Sequence, residues 1–215
     1  MGASQKVCMA LLAVTLLLGA CTGSGTPRNM ITYYTLEYAA PEVSAKGPLP
    51  VVVRMERFAV SPIYNGTAII YRDKSYERGA YVYYRWRANP GDLVSQFLGR
   101  DLRMSGLFQG VVPEGSRLHG SYLMEGSVEE FLERDYQDRW DAVLTVNITL
   151  LAENEPDISR RVVFQKSYSV ISPCRRRHPS ALAEAMSNAM RQLSGDVQAD
   201  VYARLAERVN RGTGR

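Results

Sequence analysis

At 215 residues, with 46% hydrophobic and 22% charged side chains, the chain can bury one sizeable core and is too apolar for a disordered segment. A net charge of +4, with basic residues dispersed except at Arg175-Arg176-Arg177, gives nucleic-acid binding thin support.

The first element in chain order is a leader. Lys6 precedes an apolar run from Val7 to Leu18, broken only by Thr15. A basic start and an apolar stretch too brief to span a bilayer predict a secretory signal peptide over residues 1–20. It ends in Leu18-Gly19-Ala20-Cys21, which resembles the lipobox of bacterial lipoproteins: a small residue before the cut and a thiol after it. The resemblance implies that Cys21 carries the lipid, with Gly19 a minor departure from the usual pattern. The alternative is a plain signal peptide with a coincidental cysteine. Residues 21–29, including Thr22-Gly23-Ser24-Gly25-Thr26-Pro27, then read as a flexible tether and 30–215 as the folded domain. With Cys8 removed and Cys21 acylated, Cys174 is a lone thiol, buried or free, without an internal disulfide partner.

Ile31 to Tyr38 alternates and predicts a strand, at an edge of the sheet. A loop follows from Pro41 to Pro50. The segment Val51 to Pro90 organises the rest. Alternation from Val51 to Phe58 predicts a strand ended by Ser61-Pro62, because proline cannot donate to a ladder. Asn65-Gly66 offers a tight turn with glycine at positive φ. Thr67–Tyr71 and Tyr81–Trp86 are the next strands, separated by a polar loop from Arg72 to Gly79. Asn89 and Pro90 then start a helix as cap and first residue, and Gly106 stops it. Leu93, Val94, Phe97, Leu98 and Leu102 form its apolar stripe.

Three more strands follow: Tyr122–Phe131, Ala142–Ala152 and Arg161–Ile171, the last two joined by a turn at Glu153–Asp157. From Pro179, Leu182, Met186, Ala189, Leu193, Val197, Val201 and Leu205 recur at helical steps, with a kink or break expected at Gly195. The predicted fold is an α/β (α+β) single domain, lipid-anchored: a mixed, largely antiparallel sheet with helices packed on one face.

Chemistry is harder to find. His119 and His178 lack ligand spacing, so no metal or cofactor is expected, and no Gly-x-Ser-x-Gly elbow, P-loop or dinucleotide fingerprint appears. Glu129-Glu130-Phe131-Leu132-Glu133 could supply paired carboxylates, but at the expected end of a strand neighbouring acids point to opposite faces and read as solvated.

The order of Tyr34-Thr35-Leu36, Val51 to Phe58 with Pro62, Ile69-Ile70-Tyr71-Arg72, Tyr84-x-Trp86, Gly106-Leu107-Phe108 and Trp140-x-Ala142-x-Leu144 resembles the ABC-type transport auxiliary lipoprotein family, paraquat-inducible protein C included. The resemblance implies a non-enzymatic subunit beside a mammalian-cell-entry-type protein and an ABC permease and ATPase, moving lipids between inner and outer membranes. It implies residence at the periplasmic face of the outer membrane, attached through the N-terminal lipid, with homo-oligomerisation open. Two competitors are a structural lipoprotein of envelope assembly and a periplasmic hydrolase. The tyrosine-rich segment is the expected partner surface, with Tyr71, Arg72, Tyr81, Tyr83 and Arg85 as its contacts, since tyrosine and arginine dominate binding hot spots. The opposing reading is that these rings pack on the fold, Trp86 against a helix.

Overall fold

The computed structural model describes residues 30–213. The signal peptide, Cys21 and the tether lie outside the described residues. In chain order the strands are β1 (Thr32–Tyr34), β2 (Leu49–Met55), β3 (Ala59–Val60), β4 (Ala68–Arg72), β5 (Gly79–Trp86), β6 (Phe108–Val112), β7 (Tyr122–Asp135), β8 (Trp140–Ala152) and β9 (Val162–Pro173). The helices are α1 (Pro90–Met104), α2 (Ile158–Arg161) and α3 (Pro179–Thr213).

Strand β7 is the spine. Along one edge it pairs antiparallel with β8, which pairs antiparallel with β9. Along the other edge β2, β3 and β4 follow end to end, each parallel to it. β2 carries β6 on its outer side, and β4 carries β5 and then β1. The long ladders are therefore antiparallel, while the short pairings, β4–β5 apart, are parallel. The β1–β5–β4 group forms a wing attached to the C-terminal part of β7.

The predicted strand from Val51 to Phe58 is split in two. Phe58 drops out of the ladder into the core, beside Gly91 of α1 and Gly126 of β7, where an added Cβ would clash with backbone oxygen. Between β3 and β4 a 3-10 turn, Pro62–Tyr64, replaces the tight turn, and Gly66 does not take positive φ. β1 is also shorter than predicted. From Thr35 the chain leaves the sheet to cross the helices: the Glu37 N–H donates to Ser187 Oγ at 3.0 Å, and the Tyr38 hydroxyl to Asp101 at 2.8 Å. The alternation of Tyr34, Leu36 and Tyr38 thus serves packing against helices rather than a ladder.

α1 follows its sequence signals. Asn89 Oδ1 accepts the Gly91 N–H at 2.9 Å, Pro90 holds the first position, and Gly106 at φ 65° turns the chain so that Leu107 is buried. Its stripe packs on β6, β7 and α3. α3 is one uninterrupted helix of 35 residues; the expected break at Gly195 is absent, and that glycine instead lies against Pro41 of the crossing segment. Ala142, Leu144, Val146, Ile148 and Leu150 are fully buried under α3, whereas Thr145 and Asn147 hold polar partners on the other face. The helices cover the face that carries most of the apolar side chains; the other face buries a small cluster of Tyr64, Leu132 and Val143.

Candidate functional site

The tyrosine-rich segment forms the wing, and the structure divides the five expected contact residues between its faces. Cross-strand partners share a face, so the register Tyr71↔Glu133 and Arg72↔Arg134 puts Tyr71 inward and Arg72 outward. Strict alternation would send Tyr81 and Tyr84 to opposite faces. A register shift in the β4–β5 ladder between Ala80 and Arg85 brings their rings together instead, at 5.8 Å. Tyr81 also meets Tyr71 at 5.0 Å and Trp140 at 6.4 Å. Trp86 lies deeper and packs edge-on to Phe131 of β7 at 5.0 Å.

At the centre of this inner cluster is Glu133, wholly buried. The Tyr81 hydroxyl donates to its two oxygens at 3.0 and 3.2 Å. Burial pushes the Glu133 carboxyl up to about 7; Tyr81 and Arg177 oppose the rise and Asp135 adds to it. Arg177 closes the end of the cluster, bound to Asp135 at 3.1 Å and set over the Trp140 ring. Cys174 borders the same region, half-buried and free, and burial pushes its thiol up to about 12.

The sequence reads Glu133 as a solvated acid at a strand end; the structure buries it, for a specific reason. Regular alternation from Val128 would turn Leu132 inward. A bulge at Glu129 inserts one extra residue, so Phe131 and Glu133 face the core and Leu132 faces outward beneath Tyr64. The adjacent apolar pair Phe131-Leu132 was the available signal, since a one-sided strand buries only one of two neighbours. The bulge also places Glu129-Glu130 inside β7 rather than at its end. There Glu129 accepts from Asn147 at 3.1 Å and Glu130 from Thr145 at 2.8 Å.

The outer face of the wing is different in kind. Tyr33 pairs with Arg85, and Tyr83 and Arg87 lie two residues to either side of Arg85. The Arg87 guanidinium sits over the Tyr33 ring at 5.5 Å. Arg72 and Arg134 continue the row across β4 and β7. Of the expected residues, Arg72, Tyr83 and Arg85 thus belong to the outer face, while Tyr71 and Tyr81 brace the wing from within. Tyr33, Arg87 and Arg134 are additions that the register supplies. His178 accepts the Ser180 N–H at the start of α3, and no group of three His, Cys, Asp or Glu side chains among the described residues is placed to hold a metal.

The family model for ABC-type transport auxiliary lipoprotein components matches residues 34–198. Among solved structures, a Xanthomonas campestris protein of the domain family DUF330 superposes with a TM-score of 0.75 at 18% identity, covering 83% of this chain and 99% of its own. An uncharacterized protein gives 0.61 at 12% identity, with coverages of 80% and 99%. A hypothetical protein from Chlamydia trachomatis gives 0.51 at 10%, with 73% and 98%. At these identities the likeness shows a shared fold. No curated protein is similar enough to count as a match.

Proposed function

The chain belongs to the ABC-type transport auxiliary lipoprotein family, and from that premise we propose that it is a non-catalytic, lipid-anchored subunit of a system moving lipids between inner and outer membranes. Its partners in this reading are a mammalian-cell-entry-type protein and the ABC permease and ATPase. The observation that carries it is the family match, which runs from the end of β1 into the middle of α3 and so spans nearly all the described elements. The outer face of the wing, with Arg72, Tyr83 and Arg85, is its docking face.

Attachment is assigned to Cys21. No helix among the described residues is long and apolar enough to cross a membrane. Cys21→Ser is expected to abolish palmitate labelling and leave the precursor uncleaved; equal labelling of variant and wild type would refute the anchor. With Thr22 next to the anchor rather than an aspartate, the expected residence is the outer membrane.

The role is tested by capturing the tagged full-length lipoprotein from solubilised envelopes and identifying what comes with it by mass spectrometry. Recovery of the permease, the ATPase or a mammalian-cell-entry-type protein is the expected result. Recovery of only barrel or cell-wall components would replace this role with envelope assembly.

A further inference from the structure

Arg72, Arg85, Arg87 and Arg134 share the outer face of the wing, and none has a carboxylate within ion-pair distance among the described residues. Several arginines elsewhere are paired, among them Arg54 with Glu153, Arg57 with Asp92, Arg100 with Asp101 and Arg177 with Asp135; the wing is distinctive in gathering four without a carboxylate on one face. The Nε–H groups of Arg85 and Arg134 are buried and lack any acceptor. Arg134 Nη1 donates to the Tyr136 hydroxyl at 3.1 Å, and the guanidinium donors left over on the four arginines suit phosphate oxygens, which they bind in pairs. Of the neighbouring carboxylates, Asp135 is bound to Arg177 and Glu77 to Lys74, leaving Asp73 in the groove beside Arg72 and Arg134. The face therefore keeps a positive excess.

Around these cations stand exposed Ile31, Tyr33 and Tyr83. Tyrosine with arginine is the composition of a membrane–water boundary, where the ring sits among headgroups and the cation meets phosphate. Chain length gives the second argument. Nine residues lie between Cys21 and Ile31, the first residue of this face, which makes ten Cα-to-Cα steps. A chain of that length spans at most about 35 Å. An acyl group at Cys21 would hold this edge of the domain near the bilayer at high local concentration.

We propose that the outer face of the wing, where Tyr33, Arg85 and Arg87 adjoin Arg72 and Arg134, lies against the anionic phospholipid headgroups of the membrane that holds the lipid anchor. This rests on the lipoprotein reading and names the occupant of its docking face. Contact here fixes the orientation of the domain and leaves the helical face turned away from the bilayer.

The described residues from Ile31 onward form one compact unit with a continuous core, so a chain beginning at residue 30 can be tested without its anchor. Flotation is measured with vesicles of phosphatidylcholine alone and with added phosphatidylglycerol, and folding is checked by thermal melting. The wild type should bind only the anionic vesicles, less so as salt rises. Arg85→Glu with Arg87→Glu should weaken binding at least about tenfold, from roughly 1 kcal/mol per surface cation. Arg191→Glu, on an exposed position of α3, should bind as the wild type does. Equal binding to both vesicle types, no binding by folded wild type, or full binding by the folded double variant would each overturn the proposal. If vesicles are not bound but the double variant loses its captured protein partner, the face docks protein and the transport role stands. If vesicles are bound as expected but capture recovers no transport subunit, the membrane contact stands and the transport role falls.

Discussion

Trp86→Ala is expected to destabilise the domain by about 4 kcal/mol, the scale for removing a fully buried tryptophan and leaving a cavity. Trp86 is 1% exposed, and its ring stands edge-on to Phe131. Its backbone N–H donates to Thr67 at 2.7 Å, and Tyr34 pairs beside it. It is the inner peg of a wing whose own attachment to β7 is a ladder from Ile70 to Arg72. The loss should therefore fall first on β1, β4 and β5. Urea denaturation gives the total, and hydrogen exchange should show protection lost in those strands before β8 and β9. A loss below about 1 kcal/mol would mean the ring contributes little to the core. Trp86→Phe should retain much of the stability, because an aromatic ring still meets Phe131.

The second large effect is set by pH. The Glu133 carboxyl has a folded-state value of about 7 against an ordinary 4.5. Between those values the native protein holds a proton that the unfolded chain has released. The contribution of Glu133 to stability is therefore highest below about 4.5, declines as pH rises, and carries the whole penalty above about 7. The difference is at most about 3.5 kcal/mol, from roughly 1.4 kcal/mol for each unit of separation. Tyr81 and Arg177 soften it from one side and Asp135 works against them. Glu133→Gln retains an acceptor for the Tyr81 hydroxyl and removes the ionisation. Denaturation of both proteins at pH 5 and pH 8 should show a decline in the wild type that the variant lacks, leaving the variant the more stable at pH 8. Parallel behaviour of the two would show that Glu133 does not carry the dependence.

Both effects sit where local patterning and tertiary structure disagree. Alternation in β8 survives from sequence to structure because one face is covered by α3 along its whole length. The α3 stripe survives for the same reason, and α1 because its caps act within one turn of chain. Alternation in β5 and β7 does not survive. In each, extra residues shift the register, and every side chain beyond that point changes face. This is why Tyr71 and Tyr81, predicted as contacts, became the lining of Glu133. It is also why Tyr33 and Arg134, distant in sequence, joined Arg85 on one surface.

By itself the sequence determined the elements whose signals are local: the capped helix α1, the alternating strand β8, the apolar stripe of α3 and the α+β class. Its ordered motifs also pointed to the family whose model matches residues 34–198. Only the tertiary structure decided that β2, β3 and β4 lie in a row along β7, that Gly195 leaves α3 unbroken, and that an acid is buried at Glu133. It alone gathered four arginines without carboxylate partners on one face of the wing. The physical reason is common to all four. Register, bulges and helix continuity depend on which distant segment packs alongside, as Phe58 does between two glycines and Pro41 does on Gly195. Such contacts join residues far apart in the chain, and no short window of sequence contains both partners.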